Sequence, residues 1–149
     1  MLRMPRNDGW DDPMLTSLSH VSIAVPDLDA AARRLRETYG LAVGEPRMNL
    51  EQGVRLAYVD LGNAKIELME PSRPDSPIAK FLERNPKGGI HHFSLGTDDM
   101  ASTAATLGRQ GVRILGDGRL QYNVAGERIA FIHPADFLGA LVELEEHRP

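Results

Sequence analysis

The sequence predicts an α+β fold made of two βαβββ modules related by pseudo-two-fold symmetry, with curved mixed sheets that enclose a metal-binding groove. Three observations carry this prediction. One strand-and-helix pattern occurs twice, histidine and glutamate recur at matching places in both copies, and the remaining apolar runs alternate as strands do.

The repeat becomes visible when residues 19–40, "SHVSIAVPDLDAAARRLRETYG", are set against residues 91–111, "HHFSLGTDDMASTAATLGRQG". In each copy a histidine lies seven residues before an aspartate, a leucine lies eight residues after that aspartate, and a glycine closes the segment. The matched pairs are His20 and His92, Asp27 and Asp99, Leu35 and Leu107, and Gly40 and Gly111. The regular spacing indicates two related halves.

Each copy predicts a short strand, an aspartate that caps a helix, and an alanine-rich helix that ends at the glycine. Alternating runs rich in β-branched residues follow, as is typical of strands. These runs are "VRLAYVDL" and "AKIELMEP" in the first half, and "ERIAFIHP" and "ALVELEE" in the second. Between the halves, Ser76 and Pro77 predict the cap and first residue of a short helix.

These elements predict a single domain over residues 17–146, preceded by a flexible tail over residues 1–16. The two modules are expected at about 17–71 and 90–146, with a linker at 72–89. One half is too small to bury much core alone, so the halves should pack together and share a groove.

Composition narrows the class of protein. The 149 residues carry a formal net charge of −4, which disfavours nucleic acid as a partner, and the chain has no cysteine for disulfides or thiolate chemistry. No apolar run has the length of a signal-peptide core or of a membrane span. We therefore expect a cytoplasmic protein without a membrane partner.

The repeat extends to residues that bind metals. Glu67 lies 47 residues after His20, and Glu143 lies 51 residues after His92, each inside an apolar strand. A carboxylate buried in such a strand costs several kcal/mol unless it is paired or bound to a metal. Two-fold symmetry would bring the four side chains together as a nitrogen and oxygen ligand set, which suits Co²⁺, Zn²⁺, Ni²⁺ or Mn²⁺.

The other three histidines of the chain are not expected to bind the metal. Strand alternation turns His91 away from the ligand face, toward a helix-packing or dimer side. His133 starts a turn and is interpreted as structural, whereas His147, near the end of the chain, is interpreted as solvated.

The stretches "LSHVSIAVPDLDAA", "KIELMEP", "DSPIAKFL", "GGIHH" and "FIHPADFLGALVELEE" resemble the methylmalonyl-CoA epimerase branch of the vicinal-oxygen-chelate superfamily. The resemblance covers about residues 17 to 146. It implies paired βαβββ modules, an acyl-CoA substrate, one divalent ion, often cobalt, and a homodimer. The family's ligand positions fall on His20, Glu67, His92 and Glu143.

The resemblance also implies a reaction, the interconversion of 2R and 2S methylmalonyl-CoA by proton abstraction and return through a metal-stabilised enolate. Glu143 is the expected base on one face of carbon 2, and Glu67 is the candidate for the other face. Glu51 is a weaker candidate, since a loop carboxylate is more often simply solvated.

Three positions depart from the family pattern and leave the acyl group open. A Gly-Ala-His-Gly turn of relatives is replaced by "NVAG" (123–126, including Ala125), Ala135 stands where relatives usually carry lysine, and Leu56 stands where some members carry a carboxylate. The alternatives are an epimerase for another acyl-CoA, a glyoxalase I-like lyase, an extradiol dioxygenase, which needs only three ligands, and a drug-binding protein without catalytic activity.

Overall fold

The computed structural model describes residues 14–116 and 121–147. The strands are β1 (Ser17–Ala24), β2 (Arg47–Asn49), β3 (Val54–Asp60), β4 (Lys65–Pro71), β5 (Gly89–Thr97), β6 (Gln121–Tyr122), β7 (Arg128–Ile132) and β8 (Val142–Glu146). The helices are α1 (Leu28–Tyr39), α2 (Pro77–Arg84) and α3 (Met100–Arg109), and a 3₁₀ turn spans Pro134–Asp136.

All eight strands form one mixed sheet, curled into a half-barrel, in the order β2-β3-β4-β1-β5-β8-β7-β6. Within each half the first strand runs parallel to the last, β1 beside β4 and β5 beside β8. The halves meet where β1 and β5 pair antiparallel at the centre. The predicted α+β class with a repeated βαβββ order is therefore confirmed, with both halves contributing to a single continuous sheet.

The helix ends follow the predicted capping chemistry. The side chain of Asp27 accepts from the N–H of Ala30 at the start of α1, and Gly40 closes that helix in the left-handed conformation with φ 66°. Asp99 caps α3 in the same way. Ser76 caps α2, whose first residue is Pro77. The capping residues thus set the position at which each helix begins.

Opposite faces of the sheet carry different side chains. On the outer face, α1 covers a cluster containing Leu28, Ala57 and Leu68. Met100 of α3 lies in the equivalent cluster of the second half, with Val142 and Leu144. The inner face is polar near the centre, and its apolar part, which includes Ala24 and Met69, packs against α2. Burial of the outer clusters therefore holds the inner face open as a groove.

A β-bulge interrupts the central pair of strands. Ser22 and Ile23 of β1 are paired with His92 and Ile90 of β5, so His91 is the extra residue between two consecutive pairs. The bulge breaks the strict alternation of β5 at this point, which decides where His91 lies.

Of the predicted tail, residues 1–13 lie outside the described residues. In the described remainder, the N–H of Thr16 donates to the carbonyl of Gly96 at 2.9 Å, so the chain joins the sheet just before β1. No helix in the described residues is long and apolar enough to cross a membrane.

Candidate active site

Four buried side chains meet on the inner face, at the junction of the two halves. Each half supplies a histidine from its first strand and a glutamate from its last, and their exposed fractions are 3% for His20, 6% for Glu67, 4% for His92 and 4% for Glu143. The strand register explains the match: Ser22 pairs with Glu67 on β4, and Ser94 pairs with Glu143 on β8. The structure therefore brings together all four residues that the repeat singled out.

The distances describe one compact cluster. His20 Nε2 lies 3.8 Å from Glu67 Oε1 and 3.6 Å from Glu143 Oε1. His92 Nε2 lies 3.6 Å from Glu143 Oε2, and the two imidazole rings are 5.7 Å apart. The Nε2 atom of His20 therefore faces both glutamates, and that of His92 faces Glu143.

The cluster also fits a metal chemically. In the part of the chain that the structure describes, the buried polar atoms without a hydrogen-bond partner are His20 Nε2, Ser94 Oγ and Glu143 Oε1. Leaving buried donors and acceptors unpaired costs roughly 1–3 kcal/mol each. An imidazole nitrogen and a carboxylate oxygen that lack protein partners here are the ligand types that a borderline divalent ion prefers. His20, Glu67 and His92 also offer ligand atoms within 4.8 Å of one another.

Burial sets the charge of these groups. Burial raises the pKa of Glu143 to about 8, and its neighbours Glu67 and Glu145 push in the same direction, although His20 opposes them. Burial lowers the pKa of His92 to about 4. Burial and the neighbouring His92 lower the pKa of His91 to about 4 as well. At neutral pH, without a bound metal, His91 and His92 are therefore neutral imidazoles, and the Glu143 carboxyl group retains its proton.

These pKa shifts predict how the free energy of unfolding depends on pH in protein from which a chelator has removed any bound metal. Glu143, with a raised pKa, contributes stability that is lost as pH rises toward about 8, while His91 and His92 contribute stability that is lost as pH falls toward about 4. The free energy of unfolding should therefore peak near pH 6.5 and fall by about 2 kcal/mol by pH 8. Urea unfolding at both pH values measures this, and Glu143→Gln should abolish the fall. A wild-type stability that rises over that interval would contradict the assignment.

Sequence reasoning missed a set of polar residues around the cluster. Ser22 Oγ donates to Glu67 Oε1 at 2.7 Å and lies 2.9 Å from His92 Nε2. Glu145 is 5% exposed and lies beside Nδ1 of His20. Two signals could have found them: a serine two residues after each ligand histidine, and a second glutamate two residues after Glu143, on the same face of β8.

His91 lies on the helix-packing side of its strand, with its ring 5.2 Å from that of Phe81 in α2. Its Nδ1 is nevertheless 2.8 Å from Nδ1 of His92. The expectation that strand alternation turns His91 away from the ligand face is wrong, because the bulge places its ring and that of His92 beside the same cavity.

Two cavities adjoin the cluster. The larger, about 680 Å³, reaches His92 and has a largely apolar lining that includes Met69, Ile78 and Phe131. The smaller, about 450 Å³, reaches His20 and includes Tyr58 and Glu145. Tyr58 and Phe131 are structural counterparts, since each is paired with the glutamate of its own half. Met69 and Glu145 are counterparts as well. The two ends of the groove therefore differ in polarity.

The remaining candidates lie further out. Glu51 is exposed at the edge of the larger cavity, and Leu56 is buried in the inner apolar cluster. Ala125 borders the smaller cavity, whereas Ala135 is exposed in the 3₁₀ turn.

The two remaining histidines have defined contacts. His133 caps the 3₁₀ turn, as its structural interpretation predicted. The side chain of His147 is 38% exposed, in keeping with its interpretation as solvated, and its Nε2 also lies 2.6 Å from Glu145 Oε1.

The fold and this buried cluster define a class of protein. A family model described as the glyoxalase/bleomycin resistance protein/dioxygenase superfamily matches residues 19–131, and the chain belongs to that superfamily. Among its relatives, the chain is 46% identical to an ethylmalonyl-CoA/methylmalonyl-CoA epimerase from Cereibacter sphaeroides, over 89% of this chain and 99% of the relative.

Solved structures of methylmalonyl-CoA epimerases are similar to this fold. A methylmalonyl-CoA epimerase from Mycobacterium tuberculosis superposes with a TM-score of 0.85 at 35% identity, covering 95% of each chain. A variant of the Streptomyces coelicolor methylmalonyl-CoA epimerase, in complex with 2-nitronate-propionyl-CoA, gives a TM-score of 0.80 at 41% identity, over 89% of this chain and 94% of that one. These similarities confirm the resemblance to the epimerase branch and the prediction of an epimerase-like enzyme.

Proposed function

We propose that the protein interconverts the 2R and 2S forms of methylmalonyl-CoA. The observation that carries this proposal is a pair of buried glutamates, Glu67 and Glu143, supplied by equivalent strands around two histidines. One of these histidines, His92, lines a cavity of about 680 Å³. Two carboxylates related by a two-fold axis can serve opposite faces of one carbon. The names of the relatives support the same substrate.

His20, Glu67, His92 and Glu143 would hold one divalent ion, with cobalt as first choice and zinc, nickel or manganese as alternatives. Such an ion, when bound, supplies Lewis-acid stabilisation of negative charge on the substrate oxygens. The family usually carries a divalent metal, and the unpartnered His20 Nε2 and Glu143 Oε1 support its place here.

The two glutamates carry out the proton transfers. Glu143 removes the proton from carbon 2, and the electron pair of the broken C–H bond passes into the thioester carbonyl to give an enolate. Glu67, protonated at that stage, returns a proton to the opposite face and restores the C–H bond. Glu143 acts as the base in its carboxylate form, which a cation bound beside it would favour.

A second candidate substrate is ethylmalonyl-CoA, because the Cereibacter relative carries that name too. The apolar lining of the larger cavity, with Met69, Ile78 and Phe131, suits a longer alkyl group on carbon 2. We further propose a homodimer that works in the cytoplasm.

Deuterium exchange tests the proposal. Full-length, cobalt-loaded protein is incubated with methylmalonyl-CoA in D₂O, and the carbon-2 proton is followed by NMR. We expect deuterium to enter carbon 2 and both epimers to appear. Ethylmalonyl-CoA in parallel measures acyl breadth, and glyoxalase activity on a glutathione hemithioacetal tests the lyase alternative. Exchange no faster than in a protein-free control, with lyase turnover present, would reject the epimerase.

A further inference from the structure

The proposed reaction does not use the buried carboxylate of Glu145, which lies on the inner face of the sheet. Glu145 stands two residues after Glu143 on β8, on the same face, and is 5% exposed. It touches the edge of His20 that faces away from the ligand cluster: Oε2 lies 3.6 Å from His20 Nδ1. His20 Nε2, on the other edge of the ring, faces Glu67 and Glu143. A buried carboxylate needs partners, so its surroundings should explain its presence.

Those partners are two hydrogen-bonding side chains. Ser19 Oγ donates to Glu145 Oε1 at 2.8 Å, and His147 Nε2 lies 2.6 Å from the same oxygen. Ser19 Oγ also lies 3.2 Å from His20 Nδ1. Gly96 makes room for this arrangement, since a Cβ there would lie 3.0 Å from Nδ1 of His147. The carboxylate is therefore held in place from two sides.

The direction of these hydrogen bonds decides the tautomer of His20. A serine hydroxyl has one proton, and a carboxylate can only accept. Because Ser19 donates its proton to Glu145, its oxygen must accept from His20, which places the proton of the neutral imidazole on Nδ1. Nε2 then carries the lone pair and faces the cluster, the arrangement that a metal ligand needs. Metal-binding histidines are generally held in this way through their other ring nitrogen.

The arrangement belongs to one half only. The counterpart of Glu145 in the first half is Met69, which has no charge to offer. The residue before the second ligand histidine is His91 rather than a serine, and its Nδ1 faces Nδ1 of His92 at 2.8 Å. The carboxylate beside His20 therefore distinguishes that side of the groove from the other.

We propose that Glu145, acting through Ser19, is a positioning residue that fixes His20 as the Nδ1–H tautomer and thereby aims Nε2 at the metal. The inference rests on the proposed metal site. It adds a residue that touches neither the ion nor the substrate, and it predicts a tautomer that can be measured with or without an ion.

The test uses ¹⁵N-labelled full-length protein and two measurements. Long-range ¹H–¹⁵N NMR reports the His20 tautomer, and titration with Zn²⁺, which is diamagnetic, gives the affinity. We expect wild-type His20 to be protonated on Nδ1. In Glu145→Gln and in Ser19→Ala the Nε2–H form should become populated, and zinc affinity should fall about 10- to 100-fold. The matched control is Glu127→Gln, which removes the same charge from a carboxylate whose Oε2 lies 3.9 Å from His147 Nε2. It should keep the wild-type tautomer and affinity.

Several outcomes would overturn the inference. Wild-type His20 protonated on Nε2 would reject it directly. An unchanged tautomer in both variants would also reject it, and if zinc affinity nevertheless fell, Glu145 would be a ligand itself. Ser19→Ala is the smaller change and decides the question if Glu145→Gln fails to fold. A wild-type protein that binds no zinc yet holds the Nδ1–H tautomer would contradict the proposed metal site and leave the role of Glu145 supported.

Discussion

Replacing Glu143 with glutamine should lower epimerase turnover by at least ~10²-fold while most of the metal affinity remains. Glutamine preserves the size of the side chain and one oxygen ligand, but it cannot accept the proton from carbon 2. The effect should be large because Glu143 is 4% exposed, so solvent cannot easily replace it as the base. Turnover and metal content measured on the same preparation separate loss of the base from loss of the ion.

Glu67→Gln is the matched comparison, since Glu67 is the counterpart in the other half and is 6% exposed. If both glutamates move protons, each variant should still exchange the carbon-2 proton of one epimer with D₂O while failing to interconvert the two. If Glu67 is mainly a ligand, its variant should be the milder one. A metal-replete Glu143→Gln that epimerises at the wild-type rate would remove Glu143 as the base and make Glu51 the next candidate.

His92→Ala should remove nearly all bound metal. Loss of a residue that merely orients a ligand typically costs 10- to 100-fold in affinity, so loss of the ligand itself should cost more than about 100-fold. His92 Nε2 lies 3.6 Å from Glu143 Oε2, and alanine leaves no nitrogen to replace it. Elemental analysis of protein dialysed against a defined cobalt concentration measures the change.

His91→Ala is the control for that experiment, because it removes an imidazole from the same strand and the same cavity. His91 contacts His92 through Nδ1 but stands outside the group His20, Glu67 and His92. Its variant should keep metal at close to wild-type stoichiometry, with affinity reduced about tenfold at most. Equal metal loss in both variants would mean that His91 is the ligand.

Much of the fold could be predicted from the sequence, because local chemistry determines it. Asp27 and Asp99 cap helices through their own side chains, and no distant contact is needed for that. The strand period of two then decides which residues share a face. Matching His20 to His92 across the repeat was therefore enough to predict the inner face, and Glu67 and Glu143 followed from the last strand of each half.

The rest depended on contacts between strands that are far apart in sequence. The bulge at His91 arises from the pairing of β5 with β1, and the sequence of β5 alone does not indicate it. The contact of His147 with the Glu145 carboxylate could not be predicted, because it also depends on Gly96, on another strand, where a Cβ would lie 3.0 Å from His147 Nδ1. Glu145 was overlooked because its partner Ser19 lies 126 residues away in the sequence.

Because the two halves are related by a two-fold axis, the centre of the groove is nearly symmetric, whereas its two ends differ. A planar carbon on the axis would show one face to Glu67 and the other to Glu143, so neither enantiomeric form is intrinsically preferred. Further from the axis the two halves differ, because Tyr58 occupies the position equivalent to that of Phe131. Met69 likewise occupies the position equivalent to that of Glu145. We therefore expect the two ends of the groove to favour one orientation of an extended, unsymmetrical molecule. The centre of the groove thus offers equivalent groups from both halves, whereas its periphery has a direction.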